Sequence, residues 1–99
     1  MAVKEGWMGR FFEDFEVGDI YRSRLGRTIT ATDNTWFTLL TNNTNQIHFN
    51  AEYGKQTEFG KILVNSALTL SIVAGLGVSD ISENGFALGW ENVTLPHPV

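Results

Sequence analysis

His48 is the residue in this chain with the clearest chemical reach. It closes the polar segment Thr41-Asn42-Asn43-Thr44-Asn45-Gln46-Ile47-His48 and is the only histidine in the interior of the sequence. An unperturbed imidazole titrates near 6.5, so neutral His48 can accept a proton at pH 7 and return it. Further on, Asn65-Ser66 stands near the start of a run without charge, Ile62 to Ser79. A helix opening there presents unpaired backbone N–H groups and the positive end of its dipole, which suits a developing oxyanion.

The rest of the composition narrows the chemistry. With no cysteine, disulfides, thiolate zinc sites and cysteine nucleophiles are excluded, and the bias is towards a reducing, cytoplasmic setting. A net charge of −4 argues against nucleic acid, which requires clustered Lys and Arg. All seven basic residues lie at or before Lys61, so the sequence from Ile62 to Val99 reads as interior. A membrane span needs about 20 predominantly apolar residues. Here Asn65, Ser66, Thr69 and Ser71 interrupt the run and Gly75-Leu76-Gly77 closes it, which predicts a three-turn helix and no span.

The elements that must position these residues can be read in order. Residues 1–10 form a disordered lead-in without the apolar core of a secretory signal. FFEDFEVGD over 11–19 reads as an irregular segment packing Phe11, Phe12 and Phe15 against the body. IYRSRLGRTIT over 20–30 alternates loosely and predicts a half-exposed strand. A short helix follows from about Asn34 to Leu40, capped by Thr32 or Asp33, and Asn50 caps a further turn at Ala51-Glu52-Tyr53. The run after Ile62 is apolar on nearly every side, so its helix must be surrounded. A last strand over 85–94 holds Phe86, Leu88, Trp90 and Val93, and Pro96 and Pro98 end pairing. His97 reads as an exposed residue between them. Two strands cannot wrap such a helix, so further strands must follow Val99 or come from another chain.

From Gly9 to Val99 the sequence resembles the MaoC-like dehydratase domain, the hot-dog-fold family that includes (R)-specific enoyl-CoA hydratases. In that family a segment Gly-Asp-x-Asn-Pro-x-His precedes a helix opening with His-Gly. Here Asn42-Asn43-Thr44-Asn45-Gln46-Ile47-His48 and then Asn65-Ser66 hold those places. Asp33, the Phe59-Gly60 turn and His97-Pro98-Val99 also stand where the family has equivalents. The resemblance implies an α+β hot-dog fold over 11–99, a central apolar helix wrapped by a curved antiparallel sheet, truncated after Val99 so that the C-terminal strands are missing. Asn43 replaces the family's aspartate, Gln46 its proline and Asn65-Ser66 its His-Gly, a pattern similar to mesaconyl-CoA-hydratase-like members.

By that resemblance the chain hydrates a 2-enoyl-CoA thioester, or dehydrates the matching 3-hydroxyacyl-CoA, as a homodimer. CoA carries the substrate, and no metal or redox cofactor is involved. His48 serves as base and acid. Asn43 aims water through its carbonyl oxygen, and the Ser66 amide takes the thioester oxygen. Asn65 and Asn45 contact substrate or hold the loop, while Trp36 and Phe49 wall the acyl pocket. Two other readings stay open: a non-catalytic acyl-thioester-binding module, favoured by Asn43 and by the expected truncation, and an acyl-CoA thioesterase, disfavoured because the motif loop has no carboxylate.

Overall fold

The computed structural model describes residues 9–99, so most of the lead-in expected over residues 1–10 lies outside the described residues. The frame around His48 is helical. Helix α1 spans Ala31–Leu40, α2 spans Ala51–Lys55 and α3 spans Ser66–Leu76. A 3₁₀ turn at Gln46–His48 joins α1 to α2, and a π-helical turn at Val78–Ser82 continues α3.

Each helix start follows from a side chain that substitutes for a missing backbone partner. The start of α1 lies three residues before the expected one, because Thr30 is the cap and Asp33 completes a capping box with it. Thr30 Oγ1 accepts from the Asp33 N–H at 3.2 Å, and Asp33 Oδ2 accepts from the Thr30 N–H at 2.9 Å. At its other end Asn42 takes a φ of 55°, the left-handed conformation that asparagine tolerates better than most residues. The N–H of Asn42 then bonds Leu39 O and that of Asn43 bonds Thr38 O, the Schellman pattern that closes a helix. Asn50 caps α2 through the N–H groups of Glu52 and Tyr53, as its position predicts. Asn65 caps α3 through the N–H of Ala67.

The expected α+β hot dog is overturned, since no strand and no sheet form among the described residues. A strand exists only through hydrogen bonds to a neighbour, whereas alternation shows merely which side chains would face a core. At residues 20–30 and 85–94 the recorded backbone bonds are local ones, Thr30 O to the N–H of Asn34 and the N–H of Gly85 to Ser82 O. Most of their apolar side chains therefore stay in solvent: Phe86 is 96% exposed and Leu88 99%.

For the same reason α3 is not enclosed. Leu68 is the one buried hydrophobic residue among those described, and Val73 on the same helix is exposed. Phe11 and Phe12 are exposed rather than packed, while Phe15 meets Tyr21 edge-on with ring centroids 5.5 Å apart. The Cα radius of gyration is 17.5 Å, against about 13 Å for a closed domain of 100 residues. Among the described residues no helix is long and apolar enough to cross a membrane.

What closes tightly is the region around His48. Gly54 of α2 lies against the backbone of Lys61 and Ile62, where an added Cβ would come within 2.7 Å of Ile62 N. The chain then runs from Ile62 to Asn65 between two other segments. The N–H of Leu63 donates to Ile47 O and that of Val64 to Val99 O, each at 2.9 Å.

Candidate functional site

The polar centre of the molecule is built from asparagines. Asn34 is 2% exposed and spends its whole amide on backbone groups far away in sequence. Its Nδ2 donates to His48 O and to Leu63 O, and its Oδ1 accepts from the Asn65 N–H, all at 2.8 Å. Thr38, one helical turn on and fully buried, accepts a longer bond of 3.4 Å from Asn65 Nδ2. Burying an amide is costly unless its bonds are made, and here they are. One face of α1 thereby holds the His48 turn, the segment before α3 and the cap of α3 in fixed relation.

His48 sits half-buried at the end of its 3₁₀ turn, with ring Nδ1 3.0 Å from Leu63 O. A carbonyl oxygen only accepts, so Nδ1 carries the hydrogen and the neutral ring keeps its lone pair on Nε2. His48 borders a cavity of about 490 Å³. Leu63, Val64, Ser66 and Thr69 line one part of it, and Phe59 with Leu95–Val99 the rest. The lining is mainly apolar and contains no Lys, Arg, Asp or Glu. Of the first N–H groups of α3, that of Ala67 goes to the Asn65 side chain and that of Thr69 to Asn65 O. The Ser66 N–H has no acceptor among the described residues, and Ser66 borders the cavity.

The other expected site residues lie as follows. Asn43 Oδ1 accepts from the Asn45 N–H at 2.9 Å, and Asn45 Oδ1 accepts from the Ile47 N–H at 3.2 Å. Both side chains thus shape the loop that presents His48, and neither borders the His48 cavity. Asn65 is buried as the cap of α3 and is held by Asn34. Trp36 lies in solvent, 67% exposed, beside Leu39 and Leu40 on the outer face of α1. Phe49 is exposed and outside the cavity lining. Where the sequence suggested Trp36 and Phe49 as walls, Phe59, Leu95 and Val99 occupy that position.

Sequence reading missed Asn34, Thr38 and the approach of His97 to the cavity. Asn34 did carry a signal, being an amide at a position where α1 must turn inward. Nothing local marks the place of Leu95–Val99 on the His48 cavity, which accompanies the long-range bond from the Val64 N–H to Val99 O. Among the described residues no three His, Asp or Glu side chains gather as metal ligands.

Asp33 is the charged group with a defined perturbation. The Thr30 N–H, followed by the Arg27 guanidinium, holds its carboxyl below the ordinary value of 3.8. That effect belongs to the start of α1, not to the cavity.

An Asn-rich turn ending on histidine, set against the start of an apolar helix, is the arrangement found here, and residues 14–99 match the family model described as MaoC like domain. The chain belongs to this family. Membership points to hydratase or dehydratase chemistry in general. No curated protein and no solved structure matches the chain. Within this MaoC-like domain, His48, the Ser66 N–H and an apolar wall come together at one cavity.

Proposed function

We propose that this MaoC-like domain adds water across the double bond of a 2-enoyl-CoA thioester, and catalyses the reverse dehydration of a 3-hydroxyacyl-CoA. The observation that carries this reading is the Nδ1 bond of His48 to Leu63 O, which leaves Nε2 as the ring's proton acceptor on a residue that borders an apolar cavity. In the forward direction His48 Nε2 takes a proton from water as the water oxygen bonds to the β-carbon. Electron density moves through the α-carbon to the thioester oxygen, and the imidazolium returns the proton to the α-carbon. The Ser66 N–H at the start of α3 donates to that oxygen as its charge grows, at the end of the helix that favours negative charge. CoA acts only as carrier.

Asn43 has a restricted part in this scheme. Its carbonyl oxygen already accepts the Asn45 N–H, which puts the proton transfer on His48. The working form we propose is a homodimer. In support, α3 and the segment after it leave an open apolar groove lined by Val73, Val78, Ile81, Phe86, Leu88 and Trp90.

The test is product identity with crotonyl-CoA. The expected product is 3-hydroxybutyryl-CoA, heavier by one water, with no release of free thiol. Thiol release would replace the reading by thioester hydrolysis, and saturable binding without product would replace it by a binding module.

A further inference from the structure

We propose that Asn34 is a positioning residue for this site, whose single side-chain amide sets the proton-bearing nitrogen of His48 and ties it to the oxyanion end of α3. This rests on the reading of His48 as the base. Leu63 O is the shared point: it accepts from Asn34 Nδ2 and from His48 Nδ1, filling both of its lone pairs. The second Nδ2 hydrogen goes to the backbone oxygen of His48 itself. The backbone of His48 and the carbonyl that orients its ring are thus both held by one amide. Because that amide is buried, water does not compete for these bonds.

The remaining atom of the amide extends the control to the other side of the cavity. Asn34 Oδ1 accepts the N–H of Asn65, the residue that caps α3 and immediately precedes the Ser66 N–H. Base and oxyanion donor therefore cannot move independently. Since a displacement near 1 Å costs on the order of 100-fold in rate, one amide holding both groups is a direct control on turnover.

Asn34 touches no reacting atom, so the decisive readout is the His48 tautomer. Above pH 8, long-range ¹H–¹⁵N spectra of ¹⁵N-histidine protein, assigned with His97→Ala, are expected to show His48 as the Nδ1–H form. Asn34→Asp keeps an oxygen for the Asn65 N–H and removes both donors. It is expected to move His48 towards the Nε2–H form that imidazole favours in water, and to lower kcat about 100-fold with a smaller change in KM. Retention of the Nδ1–H form and of wild-type kcat in Asn34→Asp would overturn the proposal.

Should that variant fail to fold, the wild-type protein still decides. Scalar couplings across the hydrogen bonds from Asn34 Nδ2 to the carbonyl carbons of His48 and Leu63 are expected, and their absence would overturn the proposal. The two readings separate cleanly. A shifted tautomer in a protein without hydratase turnover removes the proposed reaction and keeps the positioning role. Wild-type turnover with an unchanged tautomer in the variant does the reverse.

Discussion

Asn34 Nδ2 donates to the backbone oxygen of His48 at 2.8 Å, joining the buried face of α1 to the turn that presents the imidazole. With its bonds to Leu63 and Asn65, it makes a polar knot where a hydrophobic core would ordinarily stand. Such a knot gives geometry rather than mass of buried surface, and its value depends on every partner being satisfied. Replacing Asn34 by Ala leaves the His48 carbonyl and the Asn65 N–H without partners, while Leu63 O keeps only its bond from His48 Nδ1. At about 1–3 kcal/mol for each group left unsatisfied, the expected loss is several kcal/mol, read as a lower midpoint in urea unfolding. A midpoint unchanged from wild type would contradict the role given to this amide.

Thr38 tests the same knot at its margin. Its bond to Asn65 Nδ2 is long, 3.4 Å, although the residue is fully buried. Thr38→Val keeps the shape and removes the hydroxyl, so a loss of about 1 kcal/mol is expected, smaller than for Asn34→Ala. Thermal unfolding of the two variants side by side checks the order.

Gly54 separates α2 from the chain entering α3. An added methyl would meet backbone atoms of Lys61 and Ile62, which cannot rotate away. Gly54→Ala is expected to cost about 1–3 kcal/mol, the usual range for overpacking, despite alanine's better helix propensity. A gain in melting temperature would show that α2 shifts freely.

The capping box of α1 carries a pH signature. Asp33 is held below its ordinary 3.8 by the Thr30 N–H and then by Arg27, so its contribution is complete above that value. It is lost as pH falls through the lower folded value, because there the unfolded chain is already protonated and the folded one becomes so. Stability should therefore drop between neutral pH and pH 3 by more in wild type than in Asp33→Asn. Equal drops would remove the capping box as the cause.

Asn43 invites the opposite kind of change. Asn43→Asp preserves an oxygen for the Asn45 N–H and adds a proton acceptor to the loop. Because the side chain at position 43 does not border the cavity, the new carboxylate is out of reach of the reacting proton, and kcat is expected to stay near the wild-type value. A fall in kcat would mean that the neutral amide is required for loop geometry.

How far the sequence reaches is visible in particular residues. Asn50 as the cap of α2, and the end of α3 at Gly75-Leu76-Gly77, were legible because capping and helix-breaking are local. The strands expected over 20–30 and 85–94 were not fixed by their alternation, since pairing depends on partners that no local pattern contains. His48 stood out by type and setting. The other asparagines around it proved harder to read: Asn42, Asn43, Asn45 and Asn65 each serve a cap or turn, while Asn34, outside the Asn-rich stretch, is the long-range tie. Only the fold brings positions 34, 48, 63 and 65 together.

The most direct measurement of the central claim is the rate of loss of enoyl-thioester absorbance with crotonyl-CoA and mesaconyl-CoA, for wild type and His48→Gln. Turnover of at least one substrate by the wild type, reduced about 100-fold or more in kcat by His48→Gln while urea unfolding stays cooperative, is the result predicted. Equal turnover by both proteins, or none by a cooperatively folded wild type, would contradict His48 as the base of a hydratase.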